Sequence, residues 1–249
     1  MYFSARATIR APLYLAALLV FSVVMVHSSD EGGETYAACN VEKYSNGSQF
    51  DTNLEELLKA LTEKAAYAGF GASVYGQETP NKVSGRLQCR GDLSPADCQA
   101  CSTEAVKVVQ RDCPNAIGAR VQLDHCFLRY ENYTFLSDLD TNRWYELVNV
   151  NNNTDIHFNA AIRDLLADLS SRAPASPIKF ALGSLVVSSN VTIYGMEMCW
   201  RDMSKDDCAS CLSKGYEEVF SISSQRVGAQ VFMGSCTLGY EIYPFAEHY

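Results

Sequence analysis

Basic residues are scarce in this sequence. Its 249 residues include 20 lysines and arginines against 29 aspartates and glutamates, which gives a formal net charge of −9. Nucleic acids and anionic membranes select basic surfaces, so both are disfavoured as main partners. Histidine is rare as well, with four in the chain, and we find neither a Ser/His/Asp constellation nor a phosphate-binding loop. We therefore expect a protein that is not an enzyme and holds no cofactor.

Long apolar runs are confined to the start of the chain. Arg6 and Arg10 precede an unbroken run of apolar or small residues, Leu13 to Val26, and a polar stretch follows. This order is typical of a secretory signal peptide. A membrane anchor is the alternative, but the run is shorter than the roughly 20 residues that a spanning helix needs. We predict a leader over residues 1–29, cleaved near Ser28 or Ser29, and a soluble, secreted mature protein.

A cysteine cluster occurs twice. The spacing C-x8-C-x2-C begins at Cys89 and again at Cys199, and Cys126 returns as Cys236 at the same offset. The Gly-Ala-Arg stretch at 118–120 and the Tyr-Glu pair at 130–131 also return, the first as Gly-Ala-Gln. Self-similarity at a fixed period indicates two copies of one domain. We place the first domain at 33–136 and the second at 142–246.

Each copy is expected to be α+β, with two helices packed on one face of an antiparallel sheet. Leucines at 54, 57, 58 and 61 follow the helical period, and Thr52 and Glu55 form a predicted capping box, with Gly69 and Gly71 ending the helix. Ser94 followed by Pro95 is typical of the start of a second helix.

Two short segments after the second helix read as strands. They are 121–123 (VQL) and 126–131 (CFLRYE), and Asp124-His125 is a two-residue turn between them. Residues 137–144 are the predicted linker between the copies.

Ten cysteines follow the predicted leader, and three uses were considered for them. Structural zinc usually needs two C-x2-C pairs, whereas each copy has one, with no histidine at ligand spacing. A redox pair would leave Cys89 and Cys126 unexplained. Disulfides account for every cysteine in an exported chain. We therefore favour disulfides and expect no metal.

The copies differ by two cysteines. Cys39 and Cys113 of the first copy have no counterpart in the second, where position 113 maps to Ser223 and position 39 maps near Leu147 or Val148. Two cysteines missing together indicate the loss of one bond, since a lone survivor would be a reactive thiol. This difference pairs Cys39 with Cys113.

These motifs resemble the ginkbilobin-homologous domain, a plant cysteine-rich repeat. The resemblance rests on the C-x8-C-x2-C core, the preceding Ala-Cys-Asn at 38–40, and the later NAIGARVQL, CF and YE segments. The module occurs in antifungal seed lectins, secretory repeat proteins, plasmodesmata-located proteins and cysteine-rich receptor-like kinases, and this chain resembles the soluble secretory members. The resemblance implies the remaining disulfides: Cys89–Cys98, Cys101–Cys126, Cys199–Cys208 and Cys211–Cys236.

The residues alone suggest one polar trio. Asn40 follows a disulfide cysteine, and the predicted turn places Arg120 opposite Arg129, so that Glu131 shares the face of Arg120. Such groups suit sugar hydroxyls, but the residues alone favour a structural ion pair across the strands. The resemblance implies that Asn40, Arg120 and Glu131 form a mannose site, as in ginkbilobin-type lectins.

The second copy departs from this pattern. Gln230 replaces the arginine, the asparagine maps to Val148 or at best Asn149, and Glu241 remains. We expect binding in domain 1 only, within a secreted antifungal or antimicrobial defence lectin of the apoplast. Its expected partners are mannose or mannan-type glycans. A non-catalytic module for extracellular protein partners, or a homo-oligomer, is the alternative. Four Asn-x-Ser/Thr sequons are candidate glycosylation sites: Asn46, Asn132, Asn152 and Asn190.

Overall fold

The computed structural model describes residues 23–30 and 33–247. Within them the chain forms two sheets, both antiparallel, each with two helices packed against it. The α+β class and the tandem repeat are thereby confirmed. Positions 1–22 of the predicted leader lie outside the described residues, and its remainder falls in the first strand.

The first domain has two helices, α1 (Gln49–Ala68) and α2 (Pro95–Asp112). Its strands are β1 (Val23–Asp30), β2 (Gly33–Asn40), β3 (Phe70–Tyr75), β4 (Val83–Cys89), β5 (Ala119–Gln122) and β6 (Cys126–Glu131). They lie in the order β1-β2-β5-β6-β4-β3. Arg120 pairs with Arg129 across β5 and β6, which confirms the predicted register of this hairpin.

Within the described part of the chain, the second domain repeats this order without a counterpart of β1. Its helices are α3 (Ile156–Arg172) and α4 (Lys205–Ile222), and its strands are β7 (Arg143–Val148), β8 (Phe180–Ser188), β9 (Val191–Cys199), β10 (Ala229–Met233) and β11 (Cys236–Glu241). The sheet order is β7-β10-β11-β9-β8. Strand β7 begins inside the predicted linker, so the linker is shorter than expected.

The helix caps are mostly those that the sequence indicates. Ser94 is the N-cap of α2 and Gly69 ends α1 with a φ of 72°, as expected. The capping box at Thr52 was wrong, because α1 begins one turn earlier with Ser48 as its N-cap. The reason is Phe50, which is 5% exposed and extends the buried face of the helix toward its N-terminus.

Five disulfides join the second helix of each domain to the sheet. Cys89–Cys98, Cys101–Cys126 and the inferred Cys39–Cys113 bond lie in the first domain, and Cys199–Cys208 and Cys211–Cys236 lie in the second. The second domain has Val148 at the register position of Cys39, since both pair with the first residue of the neighbouring strand. Ser223 ends α4 as Cys113 ends α2.

Each sheet has one face under its helices and one open face. In the first domain the open face contacts the second domain: the ring of Phe127 stacks on Trp200 at 4.5 Å between centroids, and Tyr36 lies 3.7 Å from Tyr145. The side-chain amide of Gln88 donates to the carbonyl of Cys199 at 2.9 Å and accepts from the Arg201 amide at 2.9 Å. The open face is therefore an interface between the domains.

One acidic side chain lies within the core of the second domain. Glu197 on β9 is fully buried, and the hydroxyl of Ser170 on α3 lies 2.8 and 3.0 Å from its two carboxyl oxygens. The equivalent position in the first domain, at the offset of the repeat, is Leu87. Burial raises the pKa of Glu197 well above its ordinary value, and the charge of Asp168 adds to this, while the Ser170 hydrogen bond opposes it. The folded state therefore favours the protonated acid.

We expect the stability of the second domain to fall as pH rises. Below pH 4.5, the ordinary pKa of this group, the Glu197 carboxyl is protonated in both folded and unfolded chains and contributes no pH dependence. Above it the unfolded chain releases the proton and the folded chain retains it, so the free energy of unfolding decreases by at most about 1.4 kcal/mol per pH unit until the folded pKa is reached. Denaturant unfolding of wild type and Glu197→Gln between pH 4 and 8 measures this.

The glutamine variant is neutral at every pH, so its advantage over wild type should grow with pH. Glu217→Gln, an exposed carboxyl on α4, is the matched control and should track wild type. A wild-type-minus-variant difference that is constant across this pH range would contradict the assignment.

Candidate functional site

The three residues of the predicted sugar site lie on three neighbouring strands. Asn40 ends β2, Arg120 is in β5 and Glu131 ends β6, in the strand order β2-β5-β6. Arg120 pairs with Ala38 on one side and with Arg129 on the other. The alternation of a β-strand puts the side chains of Arg120, Arg129 and Glu131 on the open face.

Gly118 brings the trio together. Its carbonyl accepts a hydrogen bond from the Asn40 amide at 2.8 Å. The carboxylate of Glu131 occupies the space where a side chain at position 118 would begin. The side chain of Asn40 is fixed as well, because its Oδ1 accepts from the Glu42 amide at 3.0 Å. A residue without a Cβ is therefore required at position 118 for the Glu131 carboxylate to lie where it does.

Arg129 is a member of this site that the sequence reasoning did not include. Its Nε donates to Glu131 Oε1 at 3.0 Å, whereas Arg120 Nε lies 4.0 Å from the same oxygen. Arg129 also donates to the Tyr133 hydroxyl at 3.0 Å, and its guanidinium lies 4.1 Å from the ring centre of Phe135. The signal was present in the sequence, since the period of a strand puts residues 129 and 131 on one face.

Asp140, in the connection between the domains, lies over both arginines. Its Oδ2 is 3.8 Å from Arg120 Nη2 and 3.9 Å from Arg129 Nη1. Its backbone amide donates to Ser235 Oγ of the second domain at 2.9 Å. The candidate site is therefore built from the first domain, the connection and a turn of the second domain.

Burial divides these groups into supporting and accessible ones. The side chain of Arg129 is 4% exposed and that of Glu131 is 10% exposed, against 23% for Arg120 and 24% for Asp140. Burial, together with the neighbouring charge of Arg129, lowers the pKa of Arg120. Arg120 can offer a donor to a ligand but has Asp140 beside it, while Arg129 holds Glu131 in place.

The second domain retains more of the trio than expected. Asn149 is the counterpart of Asn40, because its amide donates to Gly228 O at 2.9 Å and its Oδ1 accepts from the Asn151 amide at 3.0 Å. Its side-chain amide donates to Glu241 Oε2 at 3.0 Å. Of the two residues considered, Asn149 therefore holds the asparagine position, and only the arginine of the trio is replaced in the second domain. Burial raises the pKa of Glu241, although the hydrogen bonds from Asn149 and from the Ile242 backbone oppose this.

The other candidate sites are simpler. Among the described residues, no group of three or more His, Cys, Asp or Glu side chains could hold a metal ion. The four sequon asparagines, Asn46, Asn132, Asn152 and Asn190, are exposed. Asn132 lies directly between Glu131 and Tyr133, beside the candidate sugar site.

Gly118→Ala should displace the Glu131 carboxylate. An added Cβ would overlap that carboxylate, so we expect a loss of about 1–3 kcal/mol in the free energy of unfolding. In the Glu131→Ala background the overlap is gone and most of this loss should disappear. Denaturant unfolding of the single and double variants measures the coupling.

Gly228→Ala is the matched variant in the second domain, where Glu241 occupies the equivalent space. Equal losses for Gly118→Ala with and without Glu131 would show that the glycine serves the backbone alone.

Comparison with known proteins agrees with this architecture. The family model Stress-antifung, described as salt stress response/antifungal, matches residues 38–133 and 147–243. The chain is 33% identical over 236 residues to an antimicrobial ginkbilobin-2-like protein of Castanea crenata, covering 94% of this chain and 98% of the relative. It is 31% identical to cysteine-rich repeat secretory protein 38 of Arabidopsis thaliana, covering 95% of each.

Solved structures show the same tandem fold. The tandem DUF26 ectodomain of the Arabidopsis thaliana cysteine-rich receptor-like protein PDLP8 superimposes with a TM-score of 0.75 at 28% identity, covering 84% of this chain and 98% of that one. The ectodomain of PDLP5 gives a TM-score of 0.70 at 25% identity, with the same coverage. Within residues 23–30 and 33–247, no helix has both the length and the hydropathy that crossing a bilayer requires. The repeat, the disulfides and these matches together establish that the chain belongs to the Stress-antifung family of tandem, ginkbilobin-related cysteine-rich repeats.

Proposed function

We propose that this protein is an extracellular plant defence protein that binds mannose-type glycans through Asn40, Arg120 and Glu131. The observation that carries the proposal is that Gly118 contacts both Asn40 and Glu131, while the partly exposed Arg120 lies 4.0 Å from Glu131. A guanidinium, a carboxylate and an amide fixed by backbone hydrogen bonds supply donors and acceptors for neighbouring sugar hydroxyls.

The affinity for a single sugar should be low. The site is a shallow set of polar groups, and Asp140 already lies 3.8 Å from Arg120, so a hydroxyl must share or displace that carboxylate. A monosaccharide has few atoms with which to offset the entropy lost on binding, which limits the affinity to about millimolar. Multivalent mannan or several copies of the protein would raise the avidity.

Three features support an extracellular location. The predicted leader at 1–29, the five disulfides and the secretory relative all fit export. We place the ginkbilobin-homologous domains at 33–136 and 142–246, and the exposed sequons are proposed glycan acceptors. The antimicrobial relative supports a role in defence, with antifungal activity as the specific form.

A protein-interaction module is the second candidate, and one observation favours it. Glu131 is held by Arg129 at 3.0 Å, and Asp140 joins both arginines to the turn at Ser235. In that reading the polar groups orient the two domains and glycans do not bind. The two candidates differ in the response of mannose binding to substitution at Arg120.

Mannose titrations of the full chain, followed by saturation-transfer NMR, test the proposal. Arg120→Ala should weaken binding at least about tenfold, equivalent to about 1.4 kcal/mol, because it removes the accessible donor. Asn40→Ala and Glu131→Gln should weaken it as well. Asp140→Asn should leave binding unchanged or strengthen it, since Arg120 loses a competing carboxylate.

Gln230→Ala, at the position equivalent to Arg120 in the second domain, is the control and should bind mannose as wild type does. Binding by Arg120→Ala equal to that of wild type would make the trio structural. Absence of binding in wild type would leave the protein-interaction module as the function.

A further inference from the structure

A second site lies between the domains, on the open face of the second sheet. It is a cavity of about 390 Å³. The first domain lines it with Tyr36, Arg90, Gln122 and the turn at 123–126, and the second domain with Leu147, Met196, Met198, Gln230, Phe232, Thr237, Tyr243 and Phe245. Met196 and Met198 are each 5% exposed and Phe232 is 6% exposed, so this part of the wall is buried, whereas Tyr243 is 51% exposed at its rim.

The two domains contact each other through a pseudo-twofold relation. Asp202 of the second domain accepts a hydrogen bond from the Ser137 amide at 2.9 Å, and Asp92 of the first domain accepts one from the Glu247 amide at 2.7 Å. Asp92 and Asp202 occupy equivalent positions of the repeat, and so do Ser137 and Glu247. Each domain therefore covers the open face of the other with the same segment.

The two halves of this interface are filled differently. On the first domain, Arg86 lies 5.2 Å from the ring centres of Phe135 and Trp200, and Arg129 lies 4.1 Å from Phe135. The equivalents of Arg86 and Arg129 in the second domain are Met196 and Gly239.

A third position of this interface also has a smaller residue in the second domain. Phe127, stacked on Trp200 in the first half, corresponds to Thr237 in the second. Two guanidinium groups and a phenyl ring of the first half are therefore replaced by smaller or uncharged groups in the second, and the cavity occupies the corresponding part of the face.

The walls favour a flat, uncharged ligand. The rings of Tyr36, Phe232 and Phe245 and the sulfurs of Met196 and Met198 make a polarisable surface that suits an aromatic ring. The guanidinium of Arg90, also in the wall, is paired with Asp92 through two hydrogen bonds of 2.7 and 2.9 Å, so its charge is already neutralised.

Polar side chains make up much of the remaining wall, among them Gln122 and Asp124. Gln230, Thr237 and His125 can exchange hydrogen bonds with hydroxyl groups. A cavity of this volume at a domain interface, with aromatic walls and polar groups that can orient a ligand, is typical of small-molecule sites.

We propose that this cavity binds a small, uncharged phenol, with the aromatic ring against the methionines and the hydroxyl toward Gln230 and Thr237. The site is separate from the Asn40–Arg120–Glu131 trio and from the mannose proposal. It uses both domains, so the ligand would also stabilise their association.

Binding of 2-naphthol to the full chain, with the methionine methyl groups labelled with ¹³C, tests the proposal. The Met196 and Met198 methyl resonances should shift on titration. Met233 lies in the core under the helices, is fully buried and should remain unchanged. Naphthalene, which lacks the hydroxyl, and 2-naphthoate, which adds a charge, should each bind at least about tenfold more weakly.

Thr237→Phe restores the ring that the first domain has at Phe127 and should abolish the shifts, with the Met233 resonance reporting that the core is intact. Gln230→Leu keeps the volume and removes the amide, and it should reduce the preference for 2-naphthol over naphthalene. Unshifted Met196 and Met198 in wild type, equal shifts at Met233, or unchanged binding by folded Thr237→Phe would each overturn the proposal.

Discussion

The open face of the first sheet is the constraint on which the arrangement of the whole molecule depends. Helices cover one side of each sheet, and the other side of β4 bears Arg86, whose side chain is 1% exposed. Its guanidinium reaches Asp202 at 3.2 Å and the carbonyl of Gly234 at 3.0 Å, both in the second domain. Burial lowers the pKa of Arg86 to about 10, which measures how far this charge is removed from water. A buried cation of this kind requires its partner, so the first domain depends on the second.

This dependence links the candidate sugar site to the domain interface. Arg120, Arg129 and Arg86 lie on the same open face, and Asp140 and Asp202 are the carboxylates that meet them from the connection and the second domain. The connection between the domains is therefore part of the candidate site. A ligand that engaged Arg120 would compete with Asp140, whose backbone amide donates to Ser235 in the turn of the second domain. The candidate sugar site and the domain interface therefore share side chains.

Features of the fold that depend on neighbouring residues, or that recur in both copies, can be predicted from the sequence. The period of the repeat, the cap at Ser94 and the turn at Asp124 follow from spacing and residue type, and the structure agrees. Strand β7 was missed because its exposure pattern lacks the alternation of a half-buried strand. Asp140 and Asp202 were missed for a different reason: their partners are distant in sequence, and only the packing of one domain on the other brings them together. The pairing of Arg129 with Arg120 was predicted from the strand register. That Arg129 approaches Glu131 more closely than Arg120 does could not be predicted, because it depends on side-chain packing.

The buried carboxyl of Glu197 is expected to make the stability of the second domain depend on the pH of the compartment that holds the chain. It lies in the domain that lacks the Cys39–Cys113 type of bond, so the domain with fewer covalent links also carries the group that opposes folding at neutral pH. A mildly acidic, oxidising environment favours both the protonated acid and the closed disulfides. A neutral, reducing one favours neither. We therefore expect the second domain to be the less stable of the two in a neutral, reducing compartment, and in a chain retained inside the cell this domain would be the first to be cleaved by proteases.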